Sequence, residues 1–236
     1  MKVSLLFPPT WHPSQPYLSL PSLTGFLTQA GVKNVSQRDL GIELLDKVLT
    51  QSFAHGLYQQ LVDKQQSLER ERTGERGPGS AEQLARVIES LDRFPYLFER
   101  IELAKETLRG EGFYDIEAYR NSLFLIDKWL EVLSSLYFPT RMTVVDNQFG
   151  DYSIYSSKDL IKAIRDEGQN PYISLFREHV LPSLLTDRPD LVGVSITATS
   201  QIIPGLTLCR LIKEHAPELH VTVGGSIFTR LVDNLR

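Results

Sequence analysis

Two short segments place residues with binding chemistry directly after apolar runs. Four residues with hydroxyl side chains follow the run at 190–194, namely Ser195, Thr197, Thr199 and Ser200. Hydroxyls in this position can donate hydrogen bonds to a polar ligand, or they can cap the helix that follows. The run at 220–223 ends in Gly224 and Gly225. Bare backbone there would let a flat or bulky ligand approach closely, or would serve a tight strand-to-helix turn.

These segments belong to an alternation of strands and helices at the two ends of the chain. Four apolar or alternating runs predict strands, over 2–7, 35–41, 190–196 and 220–225. Leucines at helical spacing over 19–30 predict a helix between the first two strands, and a helix-like stretch over 204–217 lies between the last two. This order predicts the α/β class, with an open parallel Rossmann-like (flavodoxin-like) sheet.

The middle of the chain has a different period. Leu49, Phe53, Leu57 and Leu61 recur every four residues, and further helical patterns follow, one of which Asp115 is expected to cap. We therefore predict a large all-helical insertion over 46–185, while 1–45 and 186–236 form the α/β domain. The insertion would cover one face of the sheet with its own core, or would act as a cap over a bound cofactor. A loop over 73–80 is expected to end its first helix.

Ligands of open parallel sheets bind outside the carboxyl ends of the strands, so the segments there come first as candidates. After the first strand stands "PPTWHPSQPY", in which His12 could face a ligand or could be a loop histidine bonded to backbone. Asp39 stands near the carboxyl end of the second strand, where it could bind a ligand or cap the next helix. Ser226 follows the glycine pair.

Composition excludes several classes of function. A net charge of −4 over 236 residues favours no phosphate backbone as partner, which argues against nucleic acid. The single cysteine, Cys209, excludes an intramolecular disulfide and a CxxC metal cage, and it suits a reducing compartment. No apolar stretch is long enough to span a membrane, and the amino terminus is unlike a signal peptide. We expect a cytoplasmic protein without a membrane partner.

Three segments together resemble the amino-terminal cobalamin-binding domain of the cobalamin-dependent radical SAM enzymes. They are "FPPTWHPSQPYLSLPSLTGFL", "SIT" after the third strand and "VTVGGSIFTRL". Cobalamin-binding domains carry DxHxxG, then SxL, then GG, and the separation of Thr197 from Gly224 is similar to that of the family. The resemblance covers the two ends of the chain and leaves the helical middle unexplained.

The resemblance implies a cobalamin site whose residues are Asp39, Gly41, Ser195, Thr197, Thr199, Gly224, Gly225 and Ser226. The glycines would leave room for the nucleotide tail of the cofactor, with Ser195 and Thr197 lining the same slot. Asp39 aligns with the aspartate of the first motif, but Gly41 stands at its histidine and Leu44 at its final glycine. No histidine from that loop would then bind the lower face of cobalt, and no residue of the chain is assigned a catalytic role.

The activity that this resemblance implies is methyl transfer, or a related radical reaction, in which cobalt accepts a methyl group from S-adenosylmethionine. A radical SAM domain holds its [4Fe–4S] cluster through three thiolates of CxxxCxxC, and one cysteine cannot do so. S-adenosylmethionine and [4Fe–4S] are therefore expected only in a downstream radical SAM domain of the same polypeptide, beyond residue 236. The alternative hypothesis is a degenerate domain without cobalamin that serves as an interaction or substrate-recruiting module.

Overall fold

The computed structural model describes residues 1–71 and 78–230. Most of the predicted 73–80 loop and the last six residues lie outside the described residues. The strands are β1 (Lys2–Phe7), β2 (Asn34–Asp39), β3 (Arg141–Met142), β4 (Asn147–Gln148), β5 (Leu191–Ser195) and β6 (His220–Gly224). The helices are α1 (Ser19–Gln29), α2 (Leu40–Val48), α3 (Gln51–Arg70), α4 (Pro78–Phe98), α5 (Ile101–Arg109), α6 (Ile116–Ser134), α7 (Ser157–Ala163), α8 (Pro171–His179), α9 (Leu181–Thr186), α10 (Ile202–His215) and α11 (Ser226–Arg230).

Contacts divide the chain into two compact units. The sheet unit consists of Met1–Leu44 and Tyr152–Arg236, and the helical unit consists of Leu45–Asp151. Among the residues that are described, no helix combines the length and the apolarity needed to cross a membrane.

The sheet unit is built on a parallel sheet with the strand order β2-β1-β5-β6. Numbered within the sheet, this is 2-1-3-4, the start of the flavodoxin-like order. The two middle strands, β1 and β5, are almost wholly buried, as their continuous apolar runs require. The predicted α/β class, with a Rossmann-like parallel sheet and a helical insertion, is confirmed.

Helices lie on both faces of this sheet. On one face, Val3, Leu5 and Phe7 of β1 form a core cluster with Leu20 of α1. On the other face, α10 packs against β5 and β6, and α8 packs against α10. Residues that alternate along β1 therefore point to different helices, which defines an α1 face and an α10 face.

The helices α7 to α9 belong to the sheet unit and not to the insertion, so the predicted range 46–185 extends too far at its carboxyl end. The Asn170 amide donates to the Thr207 hydroxyl at 2.9 Å, and the Tyr172 hydroxyl lies 3.2 Å from that of Thr10. These buried hydrogen bonds tie α8 to α10 and to the segment after β1. Helical periodicity predicts that a stretch is a helix, but it does not say which neighbour will cover the apolar face.

The helical unit has its own core. In it α3 packs on α4, α5 packs on α6, and α4 packs on α6. The indole ring of Trp129 is fully buried and donates to the Val48 carbonyl at 2.8 Å. Asp115 caps α6 as predicted, because its carboxylate accepts hydrogen bonds from the backbone of Glu117 and Ala118. Among the described residues of this unit, the strands are those of the short antiparallel pair β3 and β4.

Candidate functional site

The candidate residues lie at the carboxyl edge of the parallel sheet. β2 ends at Asp39, β5 ends at Ser195 and β6 ends at Gly224. Because the strands are parallel, these three ends lie along the same edge. The residues nevertheless divide between two cavities. Ser195, Gly224 and Gly225 line one of them, and Asp39 lines the other.

The first cavity, which we call the sheet groove, is an apolar space of about 370 Å³ on the α1 face. Its walls come from Val3 and Leu5 of β1 and from Leu23, Phe26 and Leu27 of α1. Two of these wall side chains remain substantially exposed, Leu23 by 42% and Phe26 by 68%. The groove therefore presents apolar surface that residues 1–44 and 152–230 leave uncovered.

Strand register explains the flat floor of the sheet groove. Gly193 of β5 lies between Leu5 and Thr222, and Ser195 lies beside Gly224 of β6. Residues two apart on a strand share a face, so Gly193, Ser195 and Gly224 all belong to the α1 face. Three of the smallest residues thus stand together where larger side chains would fill the space.

The two adjacent glycines serve different purposes. A Cβ atom on Gly224 would meet no atom within 4 Å, so the missing side chain keeps space open in the groove that this glycine lines. Gly225 has a φ of +114°, and a Cβ atom there would lie 2.1 Å from the Ile196 carbonyl oxygen. Gly225 is therefore required by the turn, whereas Gly224 leaves backbone accessible to a ligand. The turn interpretation of the pair is confirmed for Gly225, and the ligand interpretation of Gly224 stays a prediction.

Ser195 supplies an unused polar group in this apolar groove. Its side chain is 4% exposed and lines the groove, and no hydrogen bond to its hydroxyl occurs within residues 1–71 and 78–230. This hydroxyl can donate a hydrogen bond to a ligand in the groove, and a ligand that accepts that bond would gain from the interaction.

The other predicted hydroxyls stabilise the loops. The Thr197 hydroxyl donates to the Gln201 side chain at 3.0 Å, and the Ser226 hydroxyl donates to the Thr197 carbonyl at 2.9 Å. Ser200 donates to the carbonyl of Thr10, and Thr199 is exposed at the start of a short 3₁₀ helix. The expectation that Thr197 lines the same slot as Ser195 is not met, since Thr197 does not line the groove.

Gln201 is the residue that sequence reasoning missed. It is fully buried, and its carbonyl oxygen accepts from the backbone N–H groups of Thr197 and Ala198 at 2.9 and 3.1 Å. Its amide nitrogen donates to the Pro8 carbonyl at 2.7 Å. One side chain therefore joins the segment after β1 to the loop after β5. A polar residue at the start of the apolar run of α10 was the only signal in the sequence.

Asp39 lies apart from the sheet groove, in a cavity of about 420 Å³ between the ends of β1 and β2. Its carboxylate accepts from the backbone N–H of Ile42 at 3.1 Å, so it caps the start of α2. Burial raises the pKa of Asp39 from its ordinary value of 3.8, and the hydrogen bonds from the backbone of Ile42 and Gly41 oppose that shift. A Cβ atom on Gly41 would lie 3.2 Å from this carboxylate, a tight contact.

The same cavity contains an aromatic cluster and His12. The rings of Phe7 and Tyr17 stack at 5.5 Å between centroids, and Trp11 meets Tyr17 edge-on at 5.0 Å. His12 Nδ1 lies 2.8 Å from the Ser14 hydroxyl and accepts from the Ser14 backbone N–H. His12 is thus a loop histidine bonded to backbone, which agrees with one of the two interpretations of the sequence.

Neither metal ligands nor a reactive thiol accompany these cavities. Among residues 1–71 and 78–230, no group of three or more His, Cys, Asp or Glu side chains could hold a metal ion. Burial raises the pKa of Cys209 to about 12, so its thiol stays protonated at neutral pH and is not a nucleophile.

Comparison with known proteins assigns no family: no family model, no curated protein and no solved structure matches the chain.

Proposed function

We propose that the sheet unit binds cobalamin, with the dimethylbenzimidazole of the nucleotide tail in the sheet groove, as the cofactor-binding part of a radical SAM enzyme. The observation that carries this proposal is the pairing of Gly224, which keeps the floor open, with the unused hydroxyl of Ser195 beside it. The segments that resemble cobalamin-binding domains contain both residues.

The chemistry of the groove fits the tail. Dimethylbenzimidazole is flat and largely apolar, and it carries a ring nitrogen that accepts a hydrogen bond. The floor of Gly193, Ser195 and Gly224 is flat, the walls are aliphatic and aromatic, and Ser195 is a donor. A volume of about 370 Å³ lies within the usual range for a small-molecule site.

The residues of this chain would bind and orient the cofactor. Leu5 and Phe26 would exclude water from the ring, the Ser195 hydroxyl would donate a hydrogen bond to the ring nitrogen, and Gln201 would hold the loop after β5 in shape. When bound, cobalamin supplies a cobalt centre that can accept and pass on a methyl group. S-adenosylmethionine, the [4Fe–4S] cluster and the methyl transfer itself are assigned to a downstream radical SAM domain, in a cytoplasmic protein.

Cobalamin retention tests the proposal. The purified chain is incubated with hydroxocobalamin and desalted, and the visible spectrum of the protein fraction is recorded. The wild-type chain is expected to retain near-equimolar cobalamin. Gly224→Val, whose side chain fills the floor of the sheet groove, is expected to retain a small fraction of that amount. The matched control is Gly56→Val, because Gly56 is exposed in α3 and a Cβ atom there also meets nothing within 4 Å. Equal retention by both variants would contradict the role of the groove.

The shape of the spectrum tests where the tail lies. A benzimidazole in the sheet groove cannot bind cobalt, so a base-off spectrum is expected. The loop after β2 offers Gly41 in place of a histidine, so no histidine-bound spectrum is expected either. A retained cofactor with a base-on spectrum would mean that the tail lies outside the groove.

The second candidate is a degenerate domain that binds no cobalamin and recruits a partner or substrate. The observation in its favour is that Gly41 and Leu44 replace the histidine and the glycine of the first motif. A folded chain whose protein fraction stays colourless after incubation would favour this candidate over the first.

A further inference from the structure

A cavity in the helical unit has a charge opposite to that of the whole chain. It has a volume of about 300 Å³ and lies among α4, α6, the 3₁₀ turn after α6, and β3. Four cationic side chains line it, Arg86, Arg93, Lys128 and Arg141, against the two carboxylates of Glu89 and Glu131. The chain as a whole has a formal net charge of −4. The excess of cations around one small cavity is therefore local, and we call it the cationic cavity.

Ion pairs account for both carboxylates. Arg93 lies 2.5 Å from Glu89 and 3.6 Å from Glu131, and the Lys128 ammonium lies 2.8 Å from Glu131. The Arg141 side chain makes neither a hydrogen bond nor an ion pair among the residues that the structure describes. One guanidinium at the cavity thus keeps its full charge and all its donors for a ligand.

Arg86 is held in place and still has donors to spare. One of its terminal nitrogens lies 2.8 Å from Glu82, a residue that does not line the cavity. Its other terminal nitrogen donates to the Pro139 carbonyl at 3.5 Å, and its guanidinium lies over the Phe138 ring, 4.8 Å from the centroid. A guanidinium carries five N–H donors in a rigid fork, so these contacts orient Arg86 without exhausting it.

Ser90 adds a buried neutral donor. Its side chain lines the same cavity and is 6% exposed, and its hydroxyl has no hydrogen-bond partner within residues 1–71 and 78–230. By contrast, the Ser134 and Ser135 hydroxyls already donate to backbone carbonyls one turn earlier. An unpartnered hydroxyl in the same cavity as the unpaired Arg141 guanidinium is a second, independent sign of a ligand that accepts hydrogen bonds.

We propose that the cationic cavity binds the phosphoryl group of a small phosphorylated molecule, with Arg141, Arg86 and Ser90 as its donors. A tetrahedral oxyanion accepts hydrogen bonds on several sides, which suits donors that come from both α4 and β3. The cavity is at the small end of the range for ligand sites, so it accommodates a phosphoryl group with a short carbon skeleton and excludes a dinucleotide. This site lies wholly within the helical unit and is independent of cobalamin.

Calorimetric titration of the full chain tests this inference. The probes are inorganic phosphate and glycerol phosphate, and the controls are chloride and acetate at the same ionic strength. Saturable binding of at least one phosphoryl probe is expected, weakened about tenfold by Arg141→Gln and several-fold by Ser90→Ala, since hydrogen bonds to charged groups are the strong ones. Tighter binding of glycerol phosphate would identify an ester as the ligand, and tighter binding of phosphate would identify the free ion.

The matched control is Arg120→Gln. Arg120 is an exposed residue of α6 that does not line the cavity, and its substitution removes the same charge from the same unit. Circular dichroism of each variant checks that it is folded. The inference is overturned if no phosphoryl probe binds, if chloride or acetate binds as tightly, or if Arg120→Gln weakens phosphate binding as much as Arg141→Gln does.

Discussion

Gly225 packs so closely on Ile196 that no side chain could stand between them. A Cβ atom on Gly225 would lie 2.1 Å from the Ile196 carbonyl oxygen and 2.9 Å from its nitrogen, and that nitrogen donates to the Gly224 carbonyl at 2.8 Å. The turn after β6 is therefore pressed against the loop after β5. Its close approach depends on one of the two glycines, while the other faces open space.

We expect Gly225→Ala to lower the free energy of unfolding by about 2–4 kcal/mol, because alanine suits neither the positive φ nor the contact. Gly224→Ala should change it by less than about 0.5 kcal/mol. Urea unfolding of both variants beside the wild type measures the difference. Equal losses for the two glycines would show that the turn at Gly225 is not tightly packed against Ile196.

Gln201→Leu, which roughly conserves side-chain size, should lower the free energy of unfolding. The substitution removes the partners of the Thr197 and Ala198 N–H groups and of the Pro8 carbonyl. The expected loss is about 2–4 kcal/mol of unfolding free energy, since buried groups left unpaired are costly. Gln59→Leu on the exposed surface of α3 is the matched control and should be nearly neutral. Similar effects of the two changes would argue against a structural role for Gln201.

The raised pKa of Asp39 predicts a specific dependence of stability on pH. Because burial raises the pKa above 3.8, the folded protein holds this proton more tightly than the unfolded chain does. The stabilisation is complete below 3.8 and is lost as pH rises through the folded-state pKa. Asp39→Asn keeps a capping side chain but does not titrate. The stability of Asp39→Asn relative to wild type should therefore increase as pH rises through this window.

Unfolding curves of both proteins in urea across an acidic-to-neutral pH series provide this measurement. Other titrating groups are common to the two proteins, so they cancel in the difference. A relative stability of Asp39→Asn that decreased with rising pH would mean that the hydrogen bonds from Ile42 and Gly41 outweigh burial.

Trp129 should be the most sensitive large side chain of the helical unit. Trp129→Phe leaves a cavity and removes the hydrogen bond to the Val48 carbonyl, which is itself part of a buried residue. We expect a loss of about 2–4 kcal/mol in unfolding free energy. Leu103→Ala is the control, since Leu103 is 63% exposed and its truncation should cost less than about 0.5 kcal/mol. Thermal unfolding followed by circular dichroism compares them, and equal midpoints would contradict the assigned core.

The sheet could be predicted closely because its strands are short apolar runs between clear breaks. The predicted strands 2–7, 190–196 and 220–225 differ from β1, β5 and β6 by no more than one residue at either end. A strand buried on both faces needs a continuous apolar run, so composition alone indicates it.

The division between the two units could not be predicted so well. α7 to α9 have the same helical periodicity as the insertion, yet the structure includes them in the sheet unit. What decides this is the pairing of Asn170 with Thr207 and of Tyr172 with Thr10, residues far apart in the chain. Such contacts leave no periodic signal.

The class of the fold, the sheet edge expected to carry a site and the importance of the glycine pair could be predicted from the sequence, because burial, periodicity and the geometry of glycine are local properties. Contacts between distant segments bring Ser195 and Gly224 into one groove with Gly193 and direct Thr197 to Gln201. Strand register sets which side chains share a face, and a shift by one residue would reverse it. No short stretch of the chain predicts that register, and none predicts the partner of a buried hydroxyl.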